Sequence, residues 1–254
     1  MKLANLWRRR KKSPYGFFSG YSTWEEALKD STSYMSGPII EATVNERQQF
    51  MSKFDPADLF VDDRTQQLLS ALAVIQQKKP ITSFKVLDFG GGAGPYFYVM
   101  RRALAHMEID WTIVETEEMA DAFRRFEEPH LRWRTSLPEA SVSGNKPFDL
   151  CLASSSLPYV PMPYDILQKL IALGRFVITN RMAFIDGPED KIAVQRVPPE
   201  IFTGSYPAWF FSREKLLAFM QKYSHLTLRW KVPQDAFNFE GKRIVFEGYM
   251  FECL

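Results

Sequence analysis

Five residues set the chemistry that this sequence can attempt: Asp88, Gly90, Gly92, Gly94 and Glu115. The first four sit in Val86-Leu87-Asp88-Phe89-Gly90-Gly91-Gly92-Ala93-Gly94, an apolar run that meets a carboxylate and then a glycine-dense turn. Glycine admits positive φ and removes the Cβ atoms that would hold a ligand away from the backbone. A strand-to-helix turn of this kind is where open α/β sheets bind nucleotide-like cofactors. A phosphate-cradling loop would need Lys-Ser/Thr after its glycines, and Pro95-Tyr96 stands there instead. The dinucleotide fingerprint needs glycine at its first, third and sixth positions, and from Gly90 or Gly92 the sixth position is Pro95 or Phe97. Both phosphate readings therefore fail.

The run resembles the first motif of class I S-adenosylmethionine-dependent methyltransferases, in which an acid precedes Gly-x-Gly-x-Gly. Here that pattern is Asp88 followed by Gly90, Gly92 and Gly94. The resemblance implies S-adenosylmethionine (SAM) as cofactor. Its ammonium, carboxylate and sulfonium favour an acidic group and close backbone over a phosphate nest. Glu115 ends the apolar stretch Asp110–Val114, about as far past the loop as the ribose-binding acid of nucleotide folds. A carboxylate there can accept both ribose hydroxyls. It can also serve as a helix-start acid ahead of Met119-Ala120. The resemblance further places Ser136 and Leu137 at the adenine, although the Asp usual in that loop is missing. It places Ser154, which opens Ser154-Ser155-Ser156-Leu157-Pro158-Tyr159-Val160, in the loop facing the methyl group.

Methyl transfer from a sulfonium is an in-line displacement, so proximity and orientation supply much of the catalysis. A hydroxyl or amine acceptor must also lose a proton, which makes a general base useful. His106, His130 and His225 fall on the wrong sides of the predicted elements. That leaves Asp186, Glu189, Tyr159 and Tyr206, with Asp186 the preferred base, although Asp186-Gly187 is equally a turn former. For the acceptor, Tyr206 and Trp209 in a proline-interrupted segment offer an aromatic platform. Trp209 precedes Phe210-Phe211, a context that favours core packing. Arg181 offers a planar fork for a phosphate or carboxylate.

The elements that must hold these residues alternate along the chain. Apolar runs ending near residues 89, 114, 134, 154 and 181 read as strands. Segments 96–106 and 167–173 read as helices between them. Residues 226–231 and 246–252 read as a closing antiparallel pair. This order implies an α/β fold: a Rossmann-like class I methyltransferase with a seven-stranded, mostly parallel sheet, an antiparallel last strand and helices on both faces. Residues 1–80 form a helical N-terminal extension, with a cap at Ser22 or Thr23 and an amphipathic helix over 62–77. Residues 81–254 form the cofactor domain, with an insertion at about 182–211 that the resemblance places over the active site.

Bulk properties fit an enzyme acting on a small molecule. The 254 residues are 46% hydrophobic, enough for a substantial core, and the net charge of +2 argues against a nucleic-acid grip. Arg8-Arg9-Arg10-Lys11-Lys12 reads as a solvated terminus or as a weak attraction to an anionic membrane surface. No apolar run reaches the length of a membrane span or follows the basic cluster as a secretion signal would. Two cysteines, Cys151 and Cys253, read as reduced packing thiols of a cytoplasmic protein, and no zinc-type spacing of Cys and His occurs. Residues 21–27 and 195–211, with the glycine loop and Ser154–Tyr159, resemble a poorly characterised bacterial methyltransferase family associated with surface-polysaccharide genes. That resemblance implies a sugar or nucleotide-sugar acceptor. A lipid-linked or amine acceptor, or a cofactor-binding protein without transfer activity, remain as alternatives.

Overall fold

The computed structural model describes residues 13–32, 37–55, 63–78, 80, 82–140 and 146–254. The basic cluster at residues 8–12 lies outside them. The chain runs β1 (Gly16–Tyr21), α1 (Trp24–Lys29), α2 (Gly37–Lys53), α3 (Asp63–Lys78), β2 (Ser83–Phe89), α4 (Pro95–Ala103), β3 (Glu108–Val114), α5 (Glu117–Phe123) and β4 (Leu131–Arg134). It continues through β5 (Phe148–Ser154), α6 (Pro163–Leu173), β6 (Gly174–Ile185), β7 (Lys191–Val197), β8 (Gly204–Ser212), α7 (Arg213–Met220), β9 (Ser224–Phe239) and β10 (Lys242–Cys253).

Helix starts follow their side chains. Thr23, not Ser22, caps α1: its Oγ1 accepts the Glu26 amide at 3.2 Å, while Glu26 accepts the Thr23 amide at 3.3 Å. Thr116 and Ser212 cap α5 and α7 through the amides of Met119 and Lys215. The parallel strands are apolar on both faces because helices cover both. Within β5, Leu150 and Leu152 face one core with α3, α4 and α5. Cys151 and Ala153 face the other, with α6 and α7. Trp111 and Trp133 are fully buried in the first core, and the stacked pair Phe123–Trp133 (5.5 Å between centroids) ties α5 to β4.

The central order is β4-β3-β2-β5-β6-β10-β9, parallel from β4 to β6 and antiparallel at β10 against both neighbours. This is the seven-strand arrangement expected from the sequence. The strand order reverses between β2 and β5. At such a switch point the crossover connections leave in opposite directions and open a crevice beyond the strand carboxyl ends.

Three further strands enlarge the sheet. β1, β7 and β8 form an antiparallel annex that joins β6 through Phe184–Phe211 and Ile185–Ser212. Two expectations are corrected here. The stretch 182–211, expected as an insertion, is part of the sheet: the tail of β6 followed by the β7–β8 hairpin. The extension before residue 80 is not wholly helical, since Gly16–Tyr21 pairs with β7. Pro207 hid the hairpin. Proline is tolerated in a strand where its nitrogen owes no ladder bond, and Pro207 pairs with Val194 on one side while β6 meets β8 only four residues later.

Candidate functional site at the strand carboxyl ends

The glycine loop owes its shape to contacts that leave no room for side chains. Gly90, Gly92 and Gly94 all have positive φ, at 71°, 51° and 73°. A Cβ on Gly90 would fall 2.3 Å from Ser156 Cβ, and one on Gly94 would fall 2.9 Å from Ile113 Cδ1. The Gly90 amide donates to Val114 O at 2.8 Å and so extends the β2–β3 ladder by one step. Gly94 caps α4 in the left-handed conformation, with Pro95 at the first helical position. Trp133 Nε1 donates to Gly92 O at 2.9 Å.

Two carboxylates flank this loop in different ways. Glu115, at the end of β3, is partly buried. Its Oε1 accepts the Gly92 amide at 2.9 Å and its Oε2 accepts the Thr116 amide at 3.2 Å. Burial pushes its carboxyl above the ordinary range while the two amides pull it down. Glu115 lines a cavity of about 1150 Å³ with Gly90, Ser136, Leu137, Ser156 and Tyr159. Asp88 is instead buried beneath the loop, against Gly91. Trp111 Nε1 donates to its Oδ2 at 3.2 Å, and Oδ1 has no hydrogen-bond partner among the described residues. Burial pushes the Asp88 carboxyl up to about 7; the Trp111 bond lowers it and the charge of Glu115 raises it.

That shift has a consequence for stability. An unfolded aspartyl titrates near 3.9, so between about pH 4 and 7 the folded chain holds a proton that the unfolded chain has lost. Stability therefore falls as pH rises through this window and levels off above it. Asp88→Asn removes this component, so denaturant midpoints of wild type minus variant, followed from pH 4 to 8, are expected to decline mostly below pH 7. A difference independent of pH contradicts the assignment of that proton to Asp88.

A second group of polar residues lies across β5 and β6. Ser154 Oγ accepts from Asn180 Nδ2 at 3.2 Å and sits 3.3 Å from the Tyr96 hydroxyl, while Asn180 Oδ1 accepts from Trp230 Nε1 at 2.9 Å. Four elements thus share one polar chain just past the strand ends. Ser155 (φ 57°), just past β5, and Arg181 (φ 54°), within the neighbouring β6, adopt the left-handed conformation. Each such residue costs about 1–3 kcal/mol, and strain of this kind gathers at functional sites. Arg181 stands where β6 carries extra residues against β10, between the pairs Thr179–Tyr249 and Met182–Glu247. A bulge there re-aims the backbone. Its guanidinium lies 5.7 Å from the centre of the Phe246 ring.

The proposed acid–base residues are placed unequally. Tyr159 lines the cavity, but its hydroxyl donates to Gln195 Oε1 at 2.8 Å. Burial raises its pKa to about 12 against the pull of Arg181, which favours the protonated phenol. Tyr206 is buried within β8, not in a loop, and meets Tyr159 edge-on at 5.1 Å. Asp186 is not brought to the site. It lies beyond β6, exposed, 3.5 Å from Arg213 and 3.6 Å from Lys242. From Asn180 it is six residues along an extended chain, roughly 15–20 Å away. Glu189 is likewise exposed and pairs with Lys215 at 3.4 Å. Trp209 stacks on Trp24 at 5.8 Å and donates to Val160 O, so it is a packing residue.

The structure therefore lines one cavity with Gly90, Glu115, Ser136, Leu137 and Tyr159, with Gly92, Gly94 and Asp88 supporting the loop behind it and Ser154 in the polar chain with Asn180 and Tyr96. Sequence reading missed Asn180, Tyr96, Gln195 and Trp230. Asn180 stood next to Arg181 in a recognised strand and was the one accessible signal; Gln195 acquires its partner only through the hairpin. Among the described residues no group of three His, Cys, Asp or Glu side chains converges on a metal position, and no helix is long and apolar enough to cross a membrane.

Solved structures share this architecture. The N-terminal domain of EvdMO1 with SAH bound superposes with a TM-score of 0.51 at 11% identity, over 83% of this chain and 97% of that one. The same domain in the presence of SAH and D-fucose gives 0.50 at 10% identity, with the same coverage of both chains. A SAM-dependent methyltransferase from Methanosarcina mazei gives 0.48 at 11% identity over 71% of this chain and 97% of that one. No protein-family model and no curated protein matches the sequence. At these identities the two EvdMO1 superpositions establish the fold alone, a Rossmann-like α/β fold.

Proposed function

We propose that this chain is a SAM-dependent methyltransferase that methylates an oxygen of a small polar acceptor, a sugar or nucleotide sugar of surface-polysaccharide synthesis in the cytoplasm. The observation that carries this reading is the Glu115 carboxylate, which holds the Gly92 amide while lining the cavity at the switch point. Each of its oxygens accepts one amide and keeps a lone pair for a ribose hydroxyl. The residues present fit the cofactor. Gly90 lines the cavity together with Glu115, and the cavity volume lies slightly above the usual range for ligand pockets. Leu137 and Ser136 supply an apolar wall and a hydroxyl for the adenine. When bound, SAM supplies a methyl group on a positively charged sulfur.

The chain's own residues then perform positioning more than proton transfer. Asp88, beneath the loop and bonded to Trp111, supports the turn from below. Ser154, Asn180 and Tyr96 offer hydroxyl and amide groups to an acceptor hydroxyl, and Tyr159, held by Gln195 and Tyr206, forms a rigid wall. Arg181 contributes the positive charge that suits a phosphate- or carboxylate-bearing acceptor. The sugar assignment draws on the sequence resemblance and on the D-fucose present with the EvdMO1 domain.

The test is transfer of label from methyl-labelled SAM to a panel of nucleotide sugars and deoxysugars, run beside amine and lipid-linked acceptors. Label on a sugar oxygen is the expected result. The committed Tyr159 hydroxyl favours one second reading, a SAM-binding protein without transfer activity. Binding with label in no fraction would support that reading over the enzyme.

A further inference from the structure

The cofactor loop is gripped from outside by a helix that the methyltransferase reading does not use. Arg47, in α2, is buried at 5% exposure. Its Nη1 donates to Ala93 O at 2.7 Å, inside the loop, and its Nη2 donates to the Tyr98 hydroxyl at 2.6 Å, on α4. The guanidinium lies over three rings: Phe126 at 4.7 Å, Tyr98 at 5.2 Å and Trp133 at 5.5 Å. Its described hydrogen-bond partners are uncharged. A buried cation held this way gains attraction from ring faces and is fixed in one orientation.

The position of Ala93 gives this arrangement its consequence. The preceding residue, Gly92, gives its amide to Glu115 and its carbonyl to Trp133. One turn of backbone is thus held by three side chains from α2, the end of β3 and β4. Loss of the Arg47 contact releases the turn, and the carboxylate tied to that turn shifts with it. The same helix is anchored by Ile39, buried in the large apolar core that also holds Phe97 and Trp133, and its Thr43 Cγ2 lies 3.6 Å from where a Cβ on Gly92 would stand.

We propose that Arg47 is a positioning residue for the cofactor, coupling occupancy of the glycine loop to the docking of α2 against that loop. This rests on the reading that the loop holds SAM. By linkage, a cofactor that stabilises the loop geometry receiving Arg47 must also stabilise α2, and by the same factor.

The experiment combines calorimetry with hydrogen exchange, using the full chain and S-adenosylhomocysteine as probe. In the wild type, the probe is expected to slow amide exchange across Gly37–Lys53 by about tenfold or more, a typical size for such coupling. Arg47→Met is expected to weaken probe binding about 10- to 100-fold and to abolish that protection, with Arg47→Lys intermediate. In turnover, Arg47→Lys should raise the KM for SAM while kcat changes little. A purely structural role predicts a lower melting temperature with unchanged probe affinity per folded molecule, and that result overturns the proposal. So does wild-type α2 exchange that ignores a bound probe, a readout that needs no variant. Failure of the wild type to bind the probe at all would overturn the cofactor reading and this coupling with it. Normal binding without coupling overturns only the latter.

Discussion

Replacing Glu115 with Ala is expected to weaken SAM binding at least about 100-fold while the protein stays folded. Two hydrogen bonds from ribose hydroxyls to a charged acceptor are worth about 1.5–3 kcal/mol each, and about 2.8 kcal/mol corresponds to 100-fold in affinity. The variant also frees the Gly92 amide, which Glu115 now holds at 2.9 Å, so the loop loses a tether as the ligand loses its acceptor. Glu115→Gln separates the two effects. Its amide oxygen can still accept from Gly92, but the charge is gone, so an intermediate loss is expected. Calorimetry on both variants, beside circular dichroism for fold, reads the result. Unchanged affinity in Glu115→Ala would remove this residue from the site.

Gly90→Ala is expected to be the most damaging small substitution in the loop. The added methyl would lie 2.3 Å from Ser156 Cβ, and the residue would have to keep a φ of +71°. Neither partner yields easily, because the Ser156 segment follows Ser155, itself in the left-handed region. Backbone strain and overpacking each cost about 1–3 kcal/mol, so a loss of about 3 kcal/mol is a fair central figure. For a chain of this length that is a fall of roughly 6–12 °C in melting temperature. The double variant Gly90→Ala with Ser156→Gly should recover part of it, since the clash is relieved and the strain remains. Gly37→Ala is the control: nothing lies within 4 Å of its Cβ position, and no loss is expected. A Gly90→Ala protein as stable as the wild type would show that the loop is not the tight turn described.

The parts of the site legible in the sequence are those made by local chemistry. The loop from Asp88 to Gly94 announces itself because only glycine fits three positive-φ positions in five residues. Glu115 is found by spacing, since β3 must run about as far as β2 before its carboxyl end reaches the same crevice. The central strands were readable because burial on both faces makes them apolar throughout. What escaped depends on long-range pairing. Pro207 and the Pro198-Pro199 pair disguise β7 and β8 as a loop, and nothing local says that Gly16–Tyr21 will cross to pair with β7. Once that annex exists, Tyr206 becomes a buried packing partner, Tyr159 is tied to Gln195, and Asp186 is carried away by the long tail of β6. Asp186 was placed by its distance from the predicted end of strand five, and β6 runs on to Ile185 and carries it away from the cavity.

The most direct test of the whole account is titration of the wild-type protein with S-adenosylhomocysteine, with NAD and ATP as comparators. The account predicts saturable binding at one site per chain for S-adenosylhomocysteine, displaced by SAM, and no comparable binding of the two phosphate-bearing ligands. Binding of NAD or ATP in its place, or no binding by S-adenosylhomocysteine at millimolar concentration, would contradict it.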